Sequence, residues 1–296
     1  MTWQNFHIES LDWNSLVKYL LDRCNTEIGR QYCSTLQLLS NIEQSRTRQQ
    51  EISEMRSFYQ LGNSLGLSEV YDLAEPLLKI NQGDLLKFEE FRQIKESLRT
   101  ALSVRQKIEF FSDAMQAIWV HAEQLHSLKE LILTLERTFN DQGGIRDDAS
   151  ASLYAFRKQA ELIKQSIIKQ AEQFIETNTI KPYLQDTFIT QRNERYVIPL
   201  RADSVGKVRG LVHGRSASGA TVFLEPDELI APTNQLRLAE FNVSLEEERI
   251  LRVISEKVLS YSAEILKNQD ILQYLDFIQA AGSLSEQLRA NPIEMT

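Results

Sequence analysis

The chain has 296 residues, of which 42% are hydrophobic and 25% are charged, and its formal net charge at neutral pH is −8. These values are ordinary for a soluble globular protein of one or two domains. The acidic balance argues against a general nucleic-acid coat protein, and no apolar run approaches the roughly 18 residues of a membrane-spanning helix. The first residues, MTWQNFHIESLDW, lack the basic start and apolar stretch of a secretory signal. We therefore expect a cytoplasmic protein.

Residues 1–148 have the apolar periodicity of a helical core bundle. Ser10 is placed to cap a first helix, and Ser40 with Glu43 has the spacing of a capping box for a helix that ends near Leu61. The two cysteines, Cys24 and Cys33, lack further Cys or His partners at zinc-ligand spacing. We predict that they are reduced core residues.

Two long helical segments follow, and each has apolar residues at heptad spacing. The first spans 149–181 and is followed by Pro182, which cannot continue the helix. The second spans 232–268. Their similar length on either side of a compact insert predicts an antiparallel pair. The alternative is that each seam packs on the core bundle. Residues 269–296 are apolar enough to return to that bundle.

The insert, residues 182–231, has the alternation and turn residues of short β-strands. Asn193-Glu194 is predicted to be a two-residue turn, and small residues between Gly214 and Gly219 predict a hairpin loop with outward-facing amides. Residues 187–224 contain six bases and two acids, a net charge of +4 on a chain whose remainder is −12. A basic tip on an acidic body favours binding to a polyanion.

The candidate nucleic-acid-binding residues share a charge, a hydroxyl or an imidazole that can contact phosphate. They are Arg192, Arg195, Arg201, Lys207, Arg209, His213, Arg215, Ser216 and Ser218. The alternative is a solvated surface paired with Glu225, Asp227 and Glu228, an ordinary hairpin and a structural histidine. No nucleophile–base pair, metal-ligand set or GxxxxGK[ST] phosphate loop is found in the sequence, so we predict no catalytic, metal or cofactor residue.

The block RYVIPLRADSVGKVRGLVHGRSASGATVFLEPDELIAPTNQLRLAE is similar to the clamp region of the MutS-type ATPases. It most resembles their shorter second paralogue group, here called MutS-two. The segments SLDWNSLVKYLLDRCNTEIGRQYC, DLAEPLLKINQGDLLKFEEF and GIRDDASASLYAFRKQ resemble the same group, so the resemblance covers nearly the whole chain. The tight Asp-Gly turn usual in the group is here Asn193-Glu194.

The resemblance implies a mainly α fold, in which a helical core bundle carries a long antiparallel helical lever with a small antiparallel β clamp at its tip. The implied segments are a core at 1–148, lever helices at 149–181 and 232–268, a clamp at 182–231 and a return into the core at 269–296. ATP and Mg would belong only to an ATPase domain beyond these residues. We therefore expect a fragment of a longer protein, and the alternative is a naturally short relative of the group.

The function implied is that of the DNA-binding core, lever and clamp of an ATPase that grips duplex or branched DNA by phosphate and shape. Such proteins act in recombination control or DNA repair, often carry an added nuclease domain and are homodimers. The alternative is a ribosome-, rRNA- or protein-binding arm that acts in the rescue of stalled ribosomes. Either role implies a cytoplasmic location near the nucleoid or ribosome, and neither involves a membrane.

Overall fold

The computed structural model describes residues 12–294. It is mainly helical and contains one small four-stranded antiparallel sheet, which confirms the predicted fold class at that level. The chain divides into two compact units. Unit 1 comprises the residues up to Gly144 and from Leu251 onward, and unit 2 comprises Ile145–Ile250. The finer segmentation into core, lever and clamp remains a prediction.

Unit 1 is built around a cluster of buried apolar side chains from several helices. The last helix of the unit, Ser262–Leu288, has twelve buried residues spread over most of its circumference, as expected of a helix inside a core. The helices of this unit are α1 Trp13–Leu21, α2 Glu27–Ser34, α3 Ile42–Gln60, α4 Ala74–Asn81, α5 Phe88–Phe110, α6 Gln116–Ala122, α7 Lys129–Thr138 and, at its end, α10 Ser262–Leu288.

Helix α2 is anchored at its first turn on a buried carboxylate of α10. Asp276 is fully buried and accepts hydrogen bonds from the amide and side chain of Asn25, at 3.0 Å each, and from the amide and hydroxyl of Thr26, at 2.9 and 2.7 Å. Thr26 is also the N-cap residue of α2. A Cβ on Gly29 would lie 2.1 Å from Asp276 Oδ2, so this close approach requires glycine.

Helix α3 begins differently from the prediction. Its N-cap residue is Asn41, whose side chain accepts a hydrogen bond from the amide of Glu43 at 2.8 Å. The predicted cap at Ser40 is wrong by one residue, because asparagine competes equally well for the capping position. The predicted cap at Ser10 lies outside the described residues.

Unit 2 contains α8 Ala151–Glu176 and the first part of α9 Asp227–Ser260. Ile167 of α8 packs in one cluster with Leu236 of α9, whereas Arg157, nearer the start of α8, pairs with Glu247 at 2.6 Å. The two helices therefore run antiparallel within the unit.

The limits of α9 differ from the predicted 232–268. The helix begins at Asp227, so Pro232 lies inside it, and it ends at Ser260 before α10 starts at Ser262. Asp227 and Glu228 extend the start because acidic side chains stabilise the first turn of a helix. The heptad seam continues through the break at Tyr261, which is why periodicity alone missed it.

The sheet lies between α8 and α9 in the chain, and its strand order is β1-β2-β4-β3. Asn193 and Glu194 both have positive φ, 50° and 61°, which confirms the predicted two-residue turn. Ile198, Leu200 and Leu224 pack in a cluster with side chains of α8 and the adjoining loops. The strands are β1 Thr190–Arg192, β2 Arg195–Arg201, β3 Gly210–Arg215 and β4 Thr221–Pro226.

Candidate nucleic-acid interface

The nine predicted residues all lie in unit 2, on the strands of the sheet or in the loops that join them. Side chains alternate between the two faces of a strand. The face opposite Ile198 and Leu224 therefore carries Arg195 of β2 and Glu225 of β4. This second face and the β3 edge contain the charged groups on which the predicted interface depends.

Glu225 is the buried centre of this face, with 1% of its surface exposed. Its carboxylate pairs with Arg195, Nη1 to Oε1 at 3.3 Å, and with His213, Nε2 to Oε2 at 2.7 Å. A β-bulge between Val212 and Gly214 sets His213 out of the regular register of β3. Arg195 and His213 are thus committed to a neighbour within the sheet, which agrees with the alternative of charge pairing and a structural histidine.

Two further arginines also have neighbours. The guanidinium of Arg192 lies 4.6 Å from the centroid of the Phe223 ring, in cation–π geometry. Arg201 pairs with Asp203 at 2.9 Å on the exposed surface. Hydrogen bonds from Ser204 and Arg201 lower the pKa of Asp203, which favours its charged form.

The other three cations are different. Lys207, Arg209 and Arg215 are exposed, and among residues 12–294 their side chains have no hydrogen-bond or ion-pair partner. Lys207 and Arg209 precede the edge strand β3, and Arg215 ends it. Arg209 and Arg215 are six residues apart, or roughly 20 Å along an extended strand. These side chains are free to bind an external anion, and they can reach different phosphates.

The loop between β3 and β4 brings Ser216 and Ser218 together, with their hydroxyl oxygens 3.2 Å apart. Ser216 Oγ accepts a hydrogen bond from the Thr221 amide at 3.1 Å. The Ser216 amide donates to the carbonyl of Thr221 at the start of β4, and the Gly219 amide donates to the carbonyl of Ser216, both at 2.9 Å. The prediction of outward-facing amides is therefore wrong for these two groups. Both amides are used in hydrogen bonds that close the hairpin itself.

Residues 12–294 contain no group of three or more His, Cys, Asp or Glu side chains that could hold a metal ion. Within the same range, none of the helices is both long enough and apolar enough to cross a bilayer. Which of the nine residues contact nucleic acid remains a prediction.

Comparison with known proteins gives relatives for almost the whole chain. The chain is 32% identical over 284 residues to a protein of Alkaliphilus oremlandii named endonuclease MutS2, an alignment that covers 95% of this chain and 36% of that protein. It is thus similar to one part of the MutS2 proteins. Proteins of the same name from Shouchella clausii and a Geobacillus species are 30% and 29% identical, again over 95% of the chain and 36% of their own length.

The chain spans about a third of the length of the MutS2 relatives it matches, since each alignment covers 36% of the relative. No protein-family model matches the sequence. The similarity to MutS2 proteins supports the resemblance to the MutS-two group that the tip residues carry, and it extends through both units.

Proposed function

We propose that this chain is the DNA-binding core, lever and clamp region of a MutS-two-type ATPase. In this proposal α8 and α9 form the lever, and the sheet is the clamp that closes on duplex or branched DNA. The observation that carries it is the set of three exposed cations, Lys207, Arg209 and Arg215, which have no partner among residues 12–294, on a chain whose net charge is −8. The similarity to the MutS2 relatives supports it independently.

Recognition would be by phosphate and shape. Arginine and lysine neutralise phosphates and release counterions, which gives affinity without sequence readout. A fully extended span of six residues is at most about 20 Å, which is the rise of about six phosphates along one strand of duplex DNA. The two side chains would therefore grip the backbone at separate points, as a clamp requires. Arg192, Arg195 and Arg201 would support the fold of the tip.

The salt dependence of DNA binding tests this proposal. If three cations neutralise three phosphates, log K against log salt falls with a slope of about −2.7, and Arg209→Ala with Arg215→Ala reduces that slope by about 2. The matched control is Lys18→Ala with Lys129→Ala, which removes two exposed cations from unit 1. Equal effects of the two double variants would contradict a phosphate-binding tip.

A protein-binding arm is the alternative, and one observation favours it. Leu238, Phe241 and Leu245 of α9 lie at i, i+3 and i+7 and are 66%, 59% and 49% exposed. Such a stripe suits a helical protein partner better than a phosphate backbone. Substituting all three by serine should leave DNA binding unchanged under the first proposal. Loss of ribosome or protein binding in this variant, with DNA binding absent from the wild type, would support the alternative.

We also propose that residues 1–296 act by binding and carry no ATPase or nuclease chemistry themselves. In the longer protein, ATP and Mg would be held by a further domain, and dimerisation would bring two clamps around one duplex. The purified chain is expected to hydrolyse neither ATP nor DNA in the presence of Mg²⁺. Turnover that survives repeated purification would contradict this part of the proposal.

A further inference from the structure

The two cysteines of the chain form a buried pair in unit 1. Cys24 lies in the turn after α1 and Cys33 lies in α2, and their sulfur atoms are 3.3 Å apart. Cys24 is 6% exposed and Cys33 is completely buried. A disulfide bond needs the two sulfurs to approach to about 2.05 Å, a movement of roughly 1.2 Å.

We propose that Cys24 and Cys33 are an oxidative modification site, at which a small peroxide converts the buried dithiol to an intramolecular disulfide. Metal binding is a poorer explanation, because within residues 12–294 the pair has no further ligands grouped with it. Packing alone explains the burial of each thiol but does not require that the two sulfurs face each other.

The reaction balances with one peroxide molecule. The thiolate of Cys24, the less buried residue, attacks one oxygen of the peroxide, so that an S–O bond forms as the O–O bond breaks. The hydroxide that leaves takes up the proton lost by the thiol and becomes water, and Cys24 is left as a sulfenic acid. The Cys33 sulfur then attacks the sulfenic sulfur, forms the S–S bond and releases a second water. Two thiols are oxidised, the peroxide is reduced, and both thiol protons leave in the two waters.

The environment makes this reaction slow in the closed structure. The hydrogen bond with Cys33 and burial raise the pKa of the Cys24 thiol well above its usual range, and the nearby charge of Arg30 only partly opposes them. Oxidation is therefore expected to need sustained exposure to peroxide, and brief exposure should leave the two thiols reduced.

The bond would fasten a corner of unit 1. It closes a ring over residues 24–33, which contains both Thr26, held by Asp276, and Gly29, packed on the same carboxylate. A covalent ring lowers the conformational entropy of the unfolded chain, and this stabilises the folded state relative to it. The oxidised protein is expected to unfold at a temperature about 3–8 °C higher than the reduced protein.

Intact mass spectrometry of the full chain after incubation with hydrogen peroxide in native buffer tests the proposal. The expected product is a monomer that has lost two hydrogen atoms, and a reductant restores the original mass and the lower midpoint of unfolding. Peptide mapping without reduction should give one linked peptide pair that contains both cysteines. Cys24→Ala and Cys33→Ala should each abolish the linked pair and the rise in unfolding temperature.

Three outcomes would overturn the proposal. Addition of oxygen without a linked pair would mean that the thiols oxidise separately. A disulfide between two chains would place the reaction outside the folded pair. A linked pair that forms only in urea, with unmodified thiols after prolonged incubation in native buffer, would mean that the folded protein does not use the site. The wild-type measurements decide each of these even if an alanine variant fails to fold.

Discussion

Glu225 is a buried carboxylate, and contact with it distinguishes Arg195 and His213 from the basic residues of the tip that have no partner among residues 12–294. Its two oxygens engage Arg195 and His213, one on each side of β4 in the sheet. Ion pairs that are shielded from water are costly to break, because the surviving partner remains buried without its counter-charge. The Arg195–Glu225 pair is therefore costly to break, and His213 is hydrogen-bonded to the same carboxylate.

We predict that Glu225→Ala lowers the free energy of unfolding by about 3 kcal/mol, since Arg195 loses its partner in a site of low solvent access. Urea unfolding followed by circular dichroism measures this change. Asp203→Ala is the matched control, because Asp203 pairs with Arg201 on the exposed surface and its loss should have a much smaller effect. Equal midpoints for both variants would contradict a structural role for Glu225.

In the sequence, Arg195 and Arg209 look alike. Both lie in β-type segments of a basic tip, and the neighbouring sequence does not indicate an ion-pair partner for either residue. What separates them is the pairing of β2 and β3 with β4, together with the bulge at His213. The region of the candidate site could thus be predicted from composition and resemblance. The division of its cations into paired and unpaired could not, because it depends on long-range register.

At the scale of elements, the contact between α2 and α10 is set by the size of one residue. We predict that Gly29→Ala lowers stability by roughly 1–3 kcal/mol, because the new methyl group would overlap the Asp276 carboxylate. Asp276→Ala should lower stability by roughly 3 kcal/mol, since four donors lose their acceptor.

A double-mutant cycle shows whether Gly29→Ala loses stability through overlap with the Asp276 carboxylate or through some other effect of alanine at this position. If the clash with Asp276 is the cause, the double variant loses less stability than the sum of the single losses, by on the order of 1 kcal/mol. Chemical denaturation of the four proteins gives the coupling energy. Strict additivity would mean that Gly29 is required for some other reason.

The start of α8 is tied to α9 by a carboxylate that titrates far below its usual range. Hydrogen bonds from Arg249 and from the Ser150 hydroxyl lower the pKa of Glu246 to about 2. A carboxylate with a lowered pKa stabilises the fold above its unfolded pKa, which is about 4.3. That stabilisation is lost as the pH falls from there toward about 2.

We therefore predict that Glu246→Gln is less stable than the wild type at neutral pH and that the difference disappears as the pH falls toward 2. Thermal unfolding across a pH series measures the difference. Glu240→Gln, an exposed change on the same helix, should show no such trend. A Glu246→Gln effect that stays constant down to pH 2 would rule out the charge as its source.

Local chemistry predicted some element boundaries and missed others. Asn193-Glu194 was predictable because a two-residue hairpin turn needs positive φ, which asparagine tolerates. The first turn of α9 was not, because Pro232 suggests a helix start while the acidic residues before it extend the helix backward. The anchor of α2 on Asp276 joins residues about 250 positions apart, which no local pattern reveals.

For the whole molecule, the distribution of charge is as important as its sum. The tip segment 187–224 is +4 and the remainder of the chain is −12. At about 0.1 M salt the screening length is roughly 10 Å, so the tip acts alone, whereas at about 0.01 M it is roughly 30 Å and the acidic remainder also repels DNA.

We predict that the plot of log K for DNA against log salt is straight above about 0.1 M and becomes shallower toward about 0.01 M. Fluorescence anisotropy with a labelled duplex measures the curve. The Lys18→Ala and Lys129→Ala control should weaken binding only in the low-salt range, where unscreened negative charge is felt at a distance. A single slope across the whole range would contradict this long-range repulsion.

The division into two units has an optical consequence. All three tryptophans are at positions 3, 13 and 119, so Ile145–Ile250 has none. Trp13 and Trp119 lie in helices of unit 1, so their emission reports on that unit, and unit 2 has no tryptophan of its own. Phe188, which is 46% exposed beside β1, is a suitable position for a tryptophan. That single change would give unit 2 an emission signal of its own.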